Sequence, residues 1–200
     1  QSTHADRSPV QTYGFRQHTQ DQIEPVEPMK IETRMQKIRL VLSDVDGVLT
    51  DGSITYDNQG IESKSFHVRD GMGIKLWRRA GHQFGVLTAR TSHLVKMRMA
   101  EIGIDLVRQG VEEKLPAAMQ IADQLEIDLQ EICYIGDDLT DLRLMNAVGL
   151  AVSVVDGADD VRAAADLVTK TPGGKGDIRE LLELILKSQK RWEELLRSFS

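Results

Sequence analysis

Four short apolar runs, each closed by a polar residue, constrain this chain more than any other feature. They are Ile38–Leu42 before Ser43-Asp44, Gln83–Leu87 before Thr88, Ile132–Ile135 before Gly136-Asp137, and Gly149–Val152. Runs this short and this apolar read as strands buried on both faces, as in a parallel sheet. Helical periods lie between them. Gly73–Ala80 carries Ile74, Leu76 and Trp77, and Ser92–Glu101 carries Leu94, Val95 and Met97. Glu112–Leu125 places Leu115, Met119, Ala122 and Leu125 at spacings of three and four. Leu139–Met145 is a short helix, and Asp177–Leu186 is expected to run on through Trp192 to Leu196. Strands alternating with helices predict an α/β fold, a doubly wound (Rossmann-like) parallel sheet with helices on both faces. Ser53–Tyr56 and Glu62–Phe66, joined by Asp57–Gly60, predict a small β-hairpin insertion.

The pattern starts only at Ile38. Residues 1–35 are rich in Gln, Thr, His and Pro and show no apolar period, so a disordered or loosely ordered extension is expected there. The folded domain is then expected over 36–186 and a C-terminal helical tail over 187–200. With 200 residues, 40% of them hydrophobic, one domain of ordinary size is the expectation. No stretch approaches the roughly 20 apolar residues of a membrane span. No basic-then-apolar leader opens the chain, and a cytoplasmic protein is expected. A formal charge of −6 and 4% aromatics argue against nucleic acid as a partner. The single cysteine, Cys133, excludes an internal disulfide framework and a Cys-rich zinc site.

In an open parallel sheet, ligands bind beyond the carboxyl ends of the strands. Asp44-Val45-Asp46-Gly47 follows the first strand. Two carboxylates at this spacing suit one centre, with Asp44 as a nucleophile on phosphorus and Asp46 as the acid, then base, beside it. Gly136-Asp137-Asp138-Leu139-Thr140-Asp141 closes another strand, and its acids suit a hard cation such as Mg²⁺. Read alone, the first segment is an Asp-rich turn and the second a helix start whose acids answer the dipole. Read together, at one sheet edge, they form a phosphate site that needs a cation to quench repulsion. Thr88-Ala89-Arg90 offers a hydroxyl and a guanidinium, or merely a cap and a surface arginine. Lys114 by itself reads as a solvated side chain. Gly173–Gly176 reads as a flexible linker.

These four elements, Asp44-x-Asp46, Thr88, Lys114 and Gly136-Asp137-Asp138-x-x-Asp141, resemble the haloacid dehalogenase superfamily. Asp44–Gly52, Lys64–Lys75, Gln109-Gly110 before Lys114, and Gly173–Gly176 with Arg179-Glu180 are similar to the 3-deoxy-D-manno-octulosonate 8-phosphate phosphatase family over about residues 36–190. The resemblance implies a Mg²⁺-dependent phosphatase of a 2-keto sugar acid phosphate, working through an aspartyl-phosphate in lipopolysaccharide biosynthesis. It implies catalytic roles for Asp44, Asp46, Thr88 and Lys114. It places the metal on Asp44, Asp137 and the main-chain carbonyl of Asp46. It carries substrate contacts onto Asp46, His67, Val68, Arg69, Asp70, Gly71, Lys75, Arg90, Arg98 and Lys114. Ala89 stands where the family has Gly, His67 where Asn is common, and Lys75 where Arg is common, changes that bear on selectivity.

Larger members of the superfamily insert a cap domain. Here Thr50–Phe84 holds a hairpin and one helix, and Thr88–Lys114 one helix and a short strand, so no cap domain is expected. The site is then open unless a neighbouring subunit, the hairpin or a mobile Gly173–Gly176 segment covers it, so a homo-oligomer is expected, and the family resemblance implies a homotetramer. A sialic-acid-type 9-phosphate is the alternative substrate. A phosphoacceptor receiver or a non-catalytic regulatory module on the same fold is the alternative class. The second acid, Asp46, argues against a receiver.

Overall fold

The computed structural model describes residues 30–199. In chain order its strands are β1 (Leu40–Ser43), β2 (Thr55–Tyr56), β3 (Glu62–Ser63), β4 (Gln83–Thr88), β5 (Leu106–Gln109), β6 (Ile132–Gly136), β7 (Leu150–Ser153) and β8 (Leu167–Val168). Its helices are α1 (Ile31–Lys37), α2 (Val68–Arg79), α3 (His93–Glu101), α4 (Lys114–Leu125), α5 (Leu142–Met145), α6 (Asp159–Ala164), α7 (Asp177–Ser188) and α8 (Trp192–Leu196). Six strands form one parallel sheet in the order β5-β4-β1-β6-β7-β8, and β2 and β3 form a separate antiparallel hairpin.

Alternation along the strands builds two cores. Leu40, Leu42, Ile132 and Tyr134 point to one face and pack with Ile121 of α4, Leu144 of α5 and Val161 of α6. Val41, Val86, Cys133 and Ile135 point to the other and pack with Ile74 and Trp77 of α2 and with Ile178, Leu182 and Ile185 of α7. Burial of both faces is what made the strands read as unbroken apolar runs. From β1 the sheet grows to β4 on one side and to β6 on the other. The loops leaving β1, β4 and β6 therefore meet at one edge, where the strand order reverses. Between β1 and α2 lies only the hairpin, and between β4 and β5 only α3, so no cap domain is inserted. No helix among the described residues is long and apolar enough to cross a membrane.

Four expectations change. The extension was expected to reach residue 35; residues 1–29 lie outside the described residues, but α1 begins at Ile31. Its Met35 is buried, and Arg34 forks onto Asp166 at 2.6 and 2.7 Å. Seven residues show no readable period, and the helix is held by partners far along the chain. A domain boundary at 36 would cut it. Next, α7 does not run on to Leu196. It stops at Ser188, Lys190 adopts a left-handed conformation at φ 60°, and α8 turns back to bury Trp192 and Leu195. The supposed tail thus belongs to the core. Third, α6 and the two-residue edge strand β8 were not foreseen, being too short to carry a period.

Fourth, Gly173–Gly174 is no mobile cover. Both residues are buried, the Gly174 N–H donates to the Val48 carbonyl at 2.6 Å, and a Cβ on Gly173 would stand 1.9 Å from the Gly47 carbonyl oxygen. Only glycine permits that approach. The segment braces the loop after β1 from behind.

Below the brace, α2 and α7 meet at two buried carboxyls. Asp70 accepts the Arg179 N–H at 2.8 Å and Asp177 accepts the Gly174 N–H at 3.1 Å, while the second oxygen of each finds no partner among the described residues. Burial, and then the charge of Asp70, push Asp177 up to about 8 from an ordinary 3.8. A raised carboxyl favours the fold below its unfolded pKa. That contribution is lost as pH climbs from about 4 to about 8. Asp177→Asn should therefore melt higher than wild type at pH 8, by on the order of a few kcal/mol, and should flatten the decline. Thermal melts across that range check this; identical curves would refute it.

Candidate active site

Asp44 is the first residue past β1. Its N–H still donates to the Ile135 carbonyl of β6 at 3.0 Å, which fixes the start of the loop. Its side chain is nearly buried, and Oδ1 accepts the Val45 N–H at 2.5 Å. Lys114, the first residue of α4, is also buried. Its Nζ donates to Asp44 Oδ2 at 2.5 Å and to Asp141 Oδ1. Asp141 ends the turn after β6 and is fully engaged. It also accepts from the Tyr134 hydroxyl at 2.7 Å and from the N–H groups of Asp137 and Asp138 at 2.9 and 3.1 Å.

Asp137 completes the cluster. Carboxylate oxygens of Asp44, Asp137 and Asp141 lie within 4.8 Å of one another. Asp137 Oδ1 is buried with no hydrogen-bond partner. The loop after β1 passes so close that a Cβ on Gly47, itself at φ +89°, would stand 2.0 Å from Asp137 Oδ2. Burial pushes Asp137 up to about 7, with the charges of Asp44 and Asp141 adding to it. Burial likewise raises Asp44 to about 6 against the pull of Lys114. Burial disfavours the Lys114 cation, but its two carboxylates outweigh this and hold its pKa up. Three carboxyls thus share one ammonium. An unpartnered buried oxygen in an all-oxygen donor set fits a hard divalent cation. Asp44 and Asp137 have oxygen lone pairs to give; those of Asp141 are already spent.

Asp46 turns the other way. It pairs with Lys64 and stands 3.7 Å from Arg90 Nε. Arg90 Nη2 also donates to Glu62 at 2.9 Å, and the Ser92 hydroxyl donates to the same carboxylate at 2.6 Å. The hairpin therefore reaches the site through Glu62 and Lys64, two residues apart and so on one side of the extended chain. Thr88 is buried, its hydroxyl accepting the Arg90 N–H at 3.2 Å. An open cavity of about 330 Å³ is lined by Asp44, Asp46, Thr88, Arg90, Asp137 and Thr140.

The structure gathers Asp44, Asp46, Thr88, Arg90, Lys114 and Asp137 at one sheet edge. It holds the remaining expected contacts apart from that cavity, around α2. His67 precedes the helix, with Nδ1 buried and unpartnered. Val68 is 76% exposed. Arg69 lines a separate cleft with Lys175 and Arg179. Asp70 is engaged by Arg179, as described above. Gly71 lies against the Arg98 guanidinium, 2.5 Å from where a Cβ would sit, and Arg98 pairs with Glu101 at 3.0 Å. Lys75 is exposed on the far turns of α2. Sequence reasoning gave no role to Glu62, Lys64 or Tyr134, and it counted Asp141 among the acids suited to a cation without seeing it as the anchor of Lys114. The Glu62-x-Lys64 alternation and the last acid of the loop after β6 were the available signals. Tyr134 gave none, because it reads as one more core residue of β6.

A family model of haloacid dehalogenase-like hydrolases matches residues 96–176. The 3-deoxy-D-manno-octulosonate 8-phosphate phosphatase of Haemophilus influenzae is 42% identical over 159 residues, 80% of this chain and 88% of that one. The same-named phosphatase of Moraxella catarrhalis, solved with magnesium ion, phosphate ion and a KDO molecule, superposes with a TM-score of 0.83. It is 38% identical and the match covers 85% of this chain and 98% of that one. The Yersinia pestis phosphatase structure gives a TM-score of 0.80 at 39% identity, over 82% and 88% of the two chains. Identity at this level over nearly the whole length of the relatives, on top of four strand-end loops that converge as the motifs require, makes this chain a member of the 3-deoxy-D-manno-octulosonate 8-phosphate phosphatase family of haloacid dehalogenase-like hydrolases.

Proposed function

We propose that this protein hydrolyses the phosphate monoester of 3-deoxy-D-manno-octulosonate 8-phosphate, with Asp44 as nucleophile. The observation that carries this reading is the Lys114 bridge between Asp44 and Asp141, beside an acid cluster with a bare oxygen, in a chain of this family. Asp44 attacks phosphorus in line, the bond to the sugar oxygen breaks, and an aspartyl-phosphate forms. Asp46 gives its proton to the departing alkoxide and then takes one from the water that attacks the phosphoenzyme. Asp46 is paired with Lys64 and stands 3.7 Å from Arg90 Nε, contacts it must exchange for the leaving oxygen when substrate binds. Lys114 and the Thr88 hydroxyl bind phosphoryl oxygens. Mg²⁺, held by Asp44, Asp137 and the Asp46 carbonyl, would supply charge neutralisation between nucleophile and phosphate dianion.

Arg90 is the proposed carboxylate reader. It lies two residues past Thr88, and its guanidinium is already engaged by Asp46 and Glu62, acids that a substrate carboxylate can displace. The exposed Ile54, Tyr56, Ile61 and Val68 accord with a homotetramer in which the hairpin and the start of α2 cover a neighbour's open site. In that assembly Val68, Arg69 and Lys75 serve the adjoining site. A single buried free thiol, Cys133, accords with a cytoplasmic location.

Phosphate release from the eight-carbon sugar acid phosphate, a nine-carbon sialic-acid-type 9-phosphate and an aryl phosphate tests the reading. The expected order places the eight-carbon substrate first, with activity abolished by chelation and restored by Mg²⁺. Arg90→Ala should raise KM about tenfold or more for the sugar acid, the worth of a charged hydrogen bond, and spare the aryl phosphate. An equal loss on both would move Arg90 onto the phosphate. A preference for the nine-carbon acid would overturn the substrate assignment.

A further inference from the structure

The opposite end of the sheet carries a second polar cleft, remote from the chemistry. It has a volume of about 450 Å³, and its polar lining includes Arg39, His82, Ser188, Gln189, Lys190 and Arg191. Arg39 precedes β1 and Asp44 follows it, so roughly 15 Å of strand separates the two sites. In a chain of formal charge −6, no carboxylate among the described residues lines this cleft. Arg39 reaches Glu131 at 3.2 Å and Arg191 reaches Glu194 at 3.4 Å, both acids standing outside the lining. Lys190 has no ion pair among the described residues, and it is exposed.

Two further features single the cleft out. Lys190 holds a left-handed conformation that helix ends usually reserve for glycine. Its side chain is exposed, so packing does not repay that strain, and strain of this kind collects at binding sites. His82, partly buried, stacks on Trp77 with centroids 4.1 Å apart. Its Nε2 is buried, and the Gln189 side chain beside it stands outside good hydrogen-bond geometry. The charged groups that face it are Arg39 and Arg191, with the neutral Gln189 beside them.

We propose that this cleft binds a small anion of the phosphate class, gripped by Arg39, His82, Lys190 and Arg191. Burial holds the His82 pKa below its ordinary value against the Gln189 side chain, which raises it, and Arg191 and Arg39 add a smaller downward push. A bound dianion reverses that field, so binding takes up a proton and tightens as pH falls. The cleft is larger than a bare phosphate ion, which leaves room for the organic part of a monoester.

The test follows the His82 ring resonance by NMR during titration with inorganic phosphate and, separately, with glycerol phosphate. Chelator is present throughout, so that the acidic cluster repels phosphate and no ester is turned over. A saturable shift and a raised His82 pKa are expected. Lys190→Gly with Arg191→Gln should weaken this binding about a hundredfold, tenfold for each cationic side chain removed. Phosphate inhibition at the catalytic site, measured with Mg²⁺, should not change. Lys190→Gly alone relieves the strained residue and should raise the phosphate-free Tm by about 3 °C. Tighter binding of the ester assigns the site to monoesters, and tighter binding of inorganic phosphate assigns it to the free ion. A His82 signal that neither ligand moves, or that moves equally in the double variant, overturns the proposal.

Discussion

Asp44→Asn should fold and should lose turnover by about 10⁴-fold or more, upwards of ~5 kcal/mol of barrier. The amide is isosteric, and its single oxygen can keep one of the two contacts that Asp44 makes through separate oxygens, the bond from Lys114 Nζ or that from the Val45 N–H. Its nitrogen lone pair is delocalised and its oxygen carries no charge, so it forms no acyl phosphate. The loss should extend equally to the sugar acid and to an aryl phosphate, because attack on phosphorus is common to both. The substitution also removes one of the charges that raise Asp137, so that carboxyl should ionise at lower pH. Above pH 6 the wild-type chain holds a buried Asp44 anion that burial disfavours. The metal-free variant should then be no less stable than wild type at pH 7. Single-turnover phosphate release and melting curves measure both. Near-wild-type release would mean that water, not Asp44, attacks phosphorus.

Lys114→Met should be costly twice over. The side chain is 1% exposed and lies between Asp44 and Asp141, with the Tyr134 ring 5.8 Å from its Nζ. Removing the cation leaves three close carboxyls with no compensating charge, a loss that typically runs to 3–5 kcal/mol, or roughly 10 °C in Tm here. A divalent cation can restore the missing charge. The variant should gain more Tm from Mg²⁺ than wild type does, even as its turnover falls by about a hundredfold for want of a phosphoryl-oxygen donor. Melting with and without Mg²⁺ separates the two effects. A metal-free variant as stable as wild type would show that the carboxyls are neutral without Lys114.

Much of this was legible in the residues, for identifiable reasons. The strands β1, β4, β6 and β7 were readable because both faces are buried, which leaves no polar interruption. Asp44, Thr88 and Asp137 were readable because each stands at the end of a strand, whereas Lys114 by itself reads as a solvated side chain and gained a role only through the family resemblance. What escaped was held by distant partners. Helix α1 depends on Asp166, and the turn at Lys190 is a backbone choice that an apolar period runs straight through. Gly173-Gly174 reads as a flexible linker unless the loop it touches is known. The pairing of Asp46 with Lys64 and Arg90 was hidden for a related reason. Sequence places a carboxylate in a loop but not the neighbours its side chain selects.

The brace at Gly173-Gly174 also orders events in time. The nucleophile loop is made early in synthesis, but its backbone partner at Val48 is the Gly174 N–H, which leaves the ribosome far later. On one side β1 can pair with β4 soon after emergence; on the other it waits for β6. A nascent chain halted before residue 173 would expose Asp44 on a loop without its backing. Domains generally assemble as units during synthesis, and contacts of long sequence separation close last. Hydrolytic competence should thus arrive in one late step, after the C-terminal helices dock, which keeps a half-made enzyme from acting on phosphate esters.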